Sequence, residues 1–239
     1  MRVAGLLLAA GAGRRFGSPK ALVPLDGKLF VESAAELLLS AGCDPVVVVL
    51  GAQAAEVRRR AVLDGVTVVD NPHWDTGMGS SLRTGLRAVG VADAVVVLPV
   101  DTPGVTVDAL HRLIGLAGPG VLARATYDGE IGHPVLIGSD HFTGVVASAA
   151  GDQGARDYLR ANTVRLVECA DIADGADVDR PEDLRGQGRA CTAARAHPPA
   201  TTSNTSAAHT GQSSEQVTAS AMCAAPAAVE TAASTTQKQ

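Results

Sequence analysis

Gly11, Gly13 and Gly17 share one short loop with Arg14, Arg15 and Lys20, directly after the apolar run Val3–Ala9. Glycine lets a main chain approach an anion closely and turn its N–H groups onto it. Arg15 and Lys20 can add charge-assisted bonds to phosphate oxygens. Cradling the phosphates of a nucleotide is the chemistry this loop suits, and it leaves the identity of the nucleotide open.

Further along, Asp101 directly follows the run Val95–Val100 and precedes Thr102-Pro103. A carboxylate there can hold a metal, or it can form an Asx turn. Asp177 and Asp179 fall in Asp177-Val-Asp179-Arg-Pro181-Glu-Asp183-Leu184, where Pro181 can open a short helix and Asp179 can cap it. If that segment returns to the strand edge, Asp179 completes a carboxylate pair with Asp101. Two carboxylates and triphosphate oxygens are a donor set that Mg²⁺ prefers. The stretch Asn71-Pro-His-Trp74-Asp-Thr-Gly77-Met-Gly79-Ser80-Ser81 enters a helix that Ser80 or Ser81 can cap, or it supplies small polar contacts to a base or sugar. His133, in Gly129-Glu-Ile-Gly132-His133-Pro134, is expected in the connection between two short strands. Arg156, after the turn Gly151–Gly154, can reach an anionic second substrate or sit in solvent.

The elements that must position these residues are legible as alternating runs. Strands are expected at 3–9, 46–50, 66–70, 94–99, 121–125, 135–137 and 164–168, with helices at 30–41, 53–61, 80–89 and 106–117. Several strands are unbroken Val/Leu runs, as in parallel strands buried on both faces. Repeated βα units imply an α/β fold with a single doubly wound, mostly parallel sheet and helices on both faces. Ligands of such sheets bind beyond the carboxyl ends of the strands, where every residue above falls. This domain is expected to span residues 1–186. The remainder, 187–239, is rich in Ala, Thr, Ser and Gln and lacks Leu, Ile and aromatics. It is expected to be a disordered tail.

Composition narrows the function. A formal net charge of −5 gives no basic surplus for nucleic acid or an anionic membrane. No apolar run approaches the roughly 20 residues of a membrane span. Val3–Ala9 lacks a convincing cleavage site after it and is expected to be a buried strand rather than a signal sequence. Cys43, Cys169, Cys191 and Cys223 show no metal-ligand or disulfide spacing. Unpaired thiols in a cytoplasmic protein are expected.

Together these residues resemble the MobA-like nucleotidyltransferases, and among them the molybdenum cofactor cytidylyltransferase type. Leu8 through Lys20 matches the family's Leu-Ala-Ala-Gly run and its Arg-x-Gly-x-Pro-Lys. Asn71, Gly77 and Ser81 match a second motif, Asp101–Pro103 a third, Gly132–Pro134 a fourth and Asp177–Asp183 a fifth. The resemblance covers about residues 1–186. It implies transfer of a nucleotidyl group, CMP favoured, from an NTP to a phosphorylated small acceptor such as a molybdopterin-type cofactor, with release of pyrophosphate. It implies Leu8, Ala9, Ala10, Gly11, Gly13, Asn71, Gly77 and Ser81 around the nucleotide. Arg15, Lys20 and Asp101 are implied in catalysis, Asp101 and Asp179 around Mg²⁺, and His133 and Arg156 at the acceptor. A molybdoenzyme or cofactor-insertion partner is also implied. Ala10 stands where guanylyl-transferring relatives often have glycine, hence the lean to a pyrimidine. Arg180 replaces a typical small hydroxyl residue and is expected to pair with Asp179 or to weaken the metal site.

Two other functions compete. Gly11-x-Gly13-x-x-x-Gly17 is also a loose dinucleotide loop, and the family includes nicotine-blue oxidoreductases, so NADH or NADPH is the alternative cofactor. Against it, the second major strand ends Leu50-Gly51-Ala52-Gln53, without an acid for a ribose 2′-hydroxyl. A nucleotide-binding sensor or cofactor carrier without turnover would have no need of Lys20, Asp101 and Asp179 together.

Overall fold

The structure, a computed structural model, describes residues 1–184. The tail expected over 187–239 lies outside the described residues, as do Cys191 and Cys223. In chain order the elements are β1 (Val3–Ala9), β2 (Pro24–Leu25), β3 (Lys28–Leu29), α1 (Phe30–Ser40), β4 (Val46–Leu50), α2 (Ala54–Arg60) and β5 (Thr67–Asp70). They continue with α3 (Met78–Val89), β6 (Ala94–Pro99), α4 (Val107–Ile114), β7 (Leu122–Tyr127), β8 (Glu130–Gly138), α5 (Phe142–Ser148), α6 (Arg156–Arg160) and β9 (Arg165–Glu168).

Seven strands form one sheet in the order β5-β4-β1-β6-β8-β7-β9, and β2 and β3 form a small separate hairpin. Within the sheet only β8 runs antiparallel to its neighbours. The unbroken apolar runs sit where both faces are covered: β1, β4 and β6 are buried along their whole lengths. Alternate residues serve opposite layers. Leu7, Val48 and Val96 join Val31, Leu38, Leu110 and Leu113 of α1 and α4 on one face. Leu6, Val47, Val49 and Val95 join Leu82 and Leu86 of α3, Val145 of α5 and Leu159 of α6 on the other. Each such side chain contributes about 1.5–3 kcal/mol by leaving water.

The expected doubly wound sheet is therefore present, with one local correction. His133 lies within β8, because the hairpin turns earlier, at Asp128-Gly129, where both residues have positive φ (51° and 85°). An Asp-Gly pair in a two-residue turn matches the twist of the flanking strands. Strand order reverses between β1 and β6, which pair in parallel with Leu8 opposite Pro99. Their carboxyl ends open a crevice between diverging loops.

Candidate active site

A cleft of about 390 Å³ occupies that crevice, lined by the loop after β1, the loop between β5 and α3, and the residues that follow β6. Gly13 has φ 59°, and a Cβ there would collide with the carbonyl of Ser18, so the first loop requires glycine. The fold-back is held by Gly17 N–H donating to Gly13 O at 2.8 Å. Pro19 then leads into a 3-10 turn at Lys20–Leu22, which buries Ala21 and Leu22 and leaves the Lys20 side chain in the cleft.

Asp179 reaches the same place through a segment zipped along the residues after β6. Thr106 donates its hydroxyl to Ile172 O at 3.0 Å, Asp174 N–H bonds Gly104 O at 3.0 Å, and Val178 N–H bonds Asp101 O at 2.8 Å. Val178 is fully buried and anchors the return. Asp183 accepts the Asp179 and Arg180 N–H groups at 3.0 and 2.8 Å, so Asp183, not Asp179, caps the last turn. This frees the Asp179 carboxylate. Lys20 Nζ lies 2.7 Å from Asp101 Oδ2 and 2.6 Å from Asp179 Oδ1, while Arg15 Nη1 lies 3.1 Å from Asp179 Oδ2. These cations hold the Asp179 carboxyl below its usual range, the Lys20 hydrogen bond foremost. Arg180 points elsewhere, with its guanidinium 3.8 Å from Glu182, so its expected pairing with Asp179 is corrected. Asp177 stands beside the pair. Its carboxyl is pushed up to about 6, first by desolvation and then by the Asp101 charge.

Leu8, Ala10, Gly11, Gly13, Arg15, Lys20, Gly77, Ser81, Asp101 and Asp179 all line the cleft. Ala9 and Asn71 do not. Ala9 is the next residue of a pleated strand after Leu8, so it points into the opposite core layer. Asn71 is buried, and its amide donates to Ser80 Oγ at 2.8 Å and Ser81 Oγ at 3.0 Å while Oδ1 accepts His73 N–H. Its role is to fix the loop. Neither serine caps α3: Gly77 is the N-cap, and Ser80 donates back to His73 O and Gly77 O. His133 and Arg156 are also outside the cleft lining. They lie beyond its Asp101 end with Arg124, where burial and then the Arg124 charge push the His133 imidazole down to about 4, with Asp101 opposing.

Sequence reasoning placed the 71–81 loop at the nucleotide but did not single out its Trp74, Asp75 and Met78, and it missed Asp152; all four also line the cleft. Asp152 arrives because Gly77 and Gly79 leave no side chain where the 149–152 turn presses on the start of α3. The recurring glycines around 77–79 and 151–154 were the available signal. Arg124 was missed as well. It is partly buried on β7, its Nε donates to Gly132 O at 3.1 Å, and among the described residues no carboxylate lies within salt-bridge distance of it. The Arg156 charge nearby depresses its pKa, after desolvation.

Two carboxylates already bridged by an ammonium ion are hard oxygen donors facing a cation, so the donor set fits Mg²⁺ if phosphate oxygens and water complete it. Among the described residues no group of three or more His, Cys, Asp or Glu side chains could hold a metal alone. Cys43 and Cys169 are free and buried, and no described helix is long and apolar enough to cross a membrane.

Known proteins share this arrangement of sequence. The chain is 41% identical over 192 residues to nicotine blue oxidoreductase of Paenarthrobacter nicotinovorans, covering 76% of this chain and 94% of that protein. It is 41% identical over 193 residues to molybdenum cofactor guanylyltransferase of Cereibacter sphaeroides, covering 77% and 94%. The Rv0371C protein of Mycobacterium tuberculosis H37Rv, solved in complex with manganese, superposes with a TM-score of 0.64 at 30% identity, covering 78% of this chain and 98% of that one. Residues 5–168 match the family model of the MobA-like NTP transferase domain, and the chain belongs to that family.

Proposed function

We propose that this protein is a Mg²⁺-dependent nucleotidyltransferase that moves a nucleotidyl group from an NTP to a small phosphorylated acceptor. The observation that carries this is the Asp101–Lys20–Asp179 cluster at the mouth of the glycine loop. An oxygen of the acceptor phosphate bonds to the α-phosphorus, the α–β bridging P–O bond breaks, and pyrophosphate leaves with the bonding pair. Such a reaction needs no protein nucleophile, only positioning and charge stabilisation. The N–H groups of Gly11–Gly13 cradle the phosphates, and Arg15 and Lys20 neutralise the charge on the departing pyrophosphate. Asp101 and Asp179 would hold Mg²⁺, which when bound polarises the α-phosphate. His133, neutral at pH 7, orients the acceptor by hydrogen bonding, and Arg124 and Arg156 supply the positive charge beside it. Likeness to the guanylyltransferase supports a molybdopterin-type acceptor, with delivery to a molybdoenzyme or insertion partner.

For the base, Ala10 on the cleft wall favours a cytosine, whereas the relative's name favours guanine. Exchange of labelled pyrophosphate into CTP, GTP, ATP and UTP, run with a molybdopterin-type acceptor present because pyrophosphate can only reverse a nucleotidyl product formed on it, decides it. Asp101→Asn should lower that exchange by about 10²–10³-fold, the scale of losing a main electrostatic stabiliser, with an unchanged melting temperature. Equal exchange by mutant and wild type would remove the metal role.

The similarity to nicotine blue oxidoreductase favours a second reading, NAD(P)H-dependent reduction of a quinone-like or pigment substrate on the same fold. Its cleft would have to bind the dinucleotide without an acid after β4, where Ala52 N–H instead bonds Ala10 O at 2.9 Å. Metal-independent oxidation of NADH or NADPH with a quinone-like dye, and no pyrophosphate exchange, would select it.

A further inference from the structure

The carboxylates assigned to the metal are already bridged by a cation of the chain's own. Lys20 Nζ sits 2.7 Å from Asp101 Oδ2 and 2.6 Å from Asp179 Oδ1, with its side chain only 12% exposed. Arg15 takes the other Asp179 oxygen at 3.1 Å. Of the four carboxylate oxygens only Asp101 Oδ1 accepts no hydrogen bond from the described residues. A divalent ion held at roughly 2.0–2.1 Å from these oxygens would need the position the ammonium occupies. We propose that Lys20 and the divalent cation exclude one another from the Asp101–Asp179 pair, so that the free protein keeps Lys20 as a place-holder and the metal enters with the nucleotide.

The backbone around Lys20 is fixed: Pro19, Ala21 and Leu22 are buried, Leu22 N–H bonds Pro19 O at 2.9 Å, and Val23 N–H bonds Lys20 O at 3.0 Å. Its four-carbon stem is the movable part. The ammonium shares its cleft with Gly11 and Gly13, so an arriving triphosphate offers it new anionic partners within the same cavity. Once it turns to them, Asp101 and Asp179 are left facing each other with a deficit of positive charge. A site open for only a fraction of the time binds its ligand more weakly by that fraction, which is the penalty the nucleotide removes.

This inference rests on the metal assignment under the proposed function, and its test needs neither turnover nor a particular base. Mn²⁺ is titrated into the full chain without nucleotide, with free Mn²⁺ read by electron paramagnetic resonance, for wild type and for Lys20→Gln checked by circular dichroism. Removing the place-holder should tighten Mn²⁺ binding at least about tenfold; equal affinities overturn the proposal. Loss of a nearby positive charge would also tighten binding, so a second arm follows Lys20 itself. In wild type, limited acetylation read by peptide mass spectrometry should rise several-fold at Lys20 as Mg²⁺ fills the site, while Lys28 stays constant. Unchanged Lys20 labelling through saturation overturns the proposal, including where Lys20→Gln fails to fold. Absence of pyrophosphate exchange with every NTP in the presence of the molybdopterin-type acceptor would instead sink the transferase reading and leave the Mn²⁺ comparison standing.

Discussion

His133 shows how one side chain reports its surroundings. Burial and the Arg124 charge push its imidazole down to about 4 from an ordinary 6.5, so the fold keeps it neutral where the unfolded chain takes up a proton. The associated stability is complete above about pH 6.5 and is lost as pH falls towards 4. Asp177 works in the opposite sense, because its carboxyl, raised to about 6, binds a proton more readily in the folded state. Comparing variants isolates the histidine. His133→Gln should flatten the fall of melting temperature between pH 7 and 4.5, and parallel profiles for variant and wild type would refute the buried neutral imidazole. Asn71 offers a second test at this scale. Asn71→Ala takes the partner of the buried Ser81 hydroxyl and of the His73 N–H, while Ser80 keeps its bonds to His73 O and Gly77 O, and a loss of about 1–3 kcal/mol is expected in urea unfolding. A loss near zero would mean that the amide does not hold the loop.

Among the elements, the β7–β8 hairpin carries His133 and Arg124, and Glu168 at the end of β9 ties it down. Glu168 accepts the Thr126 hydroxyl at 3.0 Å and the N–H groups of Asp128 and Gly129 at 3.1 and 3.4 Å, together with those of Cys169 and Ala170. These bonds, led by that from Ala170, pull its carboxyl down to about 2. A depressed carboxylate stabilises the fold above its unfolded value near 4.5, and that stability is lost as pH falls towards 2. Glu168→Gln should therefore lower the melting temperature at pH 7 and converge with wild type near pH 2–3. A constant offset across that range would contradict the clamp. At the same hairpin, Gly132 and Gly175 leave room for the Tyr127 ring between them, and the Tyr127 hydroxyl donates to His133 O at 2.6 Å. Nothing local in the sequence announces such a packing. The strands β1, β4 and β6 were legible to the residue because burial on both faces writes itself as continuous Val and Leu. The hairpin was not, because the first half of β8 is exposed or half-buried with no apolar run to mark it, and its start was hidden behind a turn pair, Asp128-Gly129. The phosphate loop and the two aspartates could be read from residue type and position. Arg124 and Asp152 could not, because the contacts that bring them to the site join residues far apart in the chain.

At the scale of the whole molecule, the family model ends at residue 168 but the physical unit does not. Residues 169–184 contribute Cys169 and Val178 to the core, both fully buried, and close the site by hydrogen bonding along Asp101, Gly104 and Thr106. They also deliver Asp179 to Lys20. A chain cut after Glu168 would expose that core layer and leave the backbone acceptors of Asp101 and Gly104 unpaired. It should melt well below the full-length protein or fail to fold. A chain cut after Arg185 keeps both core layers, the returning segment and every residue assigned to the site, so its melting temperature and pyrophosphate exchange should match those of residues 1–239. Measuring both truncations beside the full chain decides the boundary. Equal stability after Glu168 would show that the returning segment adds nothing to the fold. A large loss after Arg185 would show that residues 186–239 contribute to the stability of the domain, and would move the boundary of the folding unit beyond it.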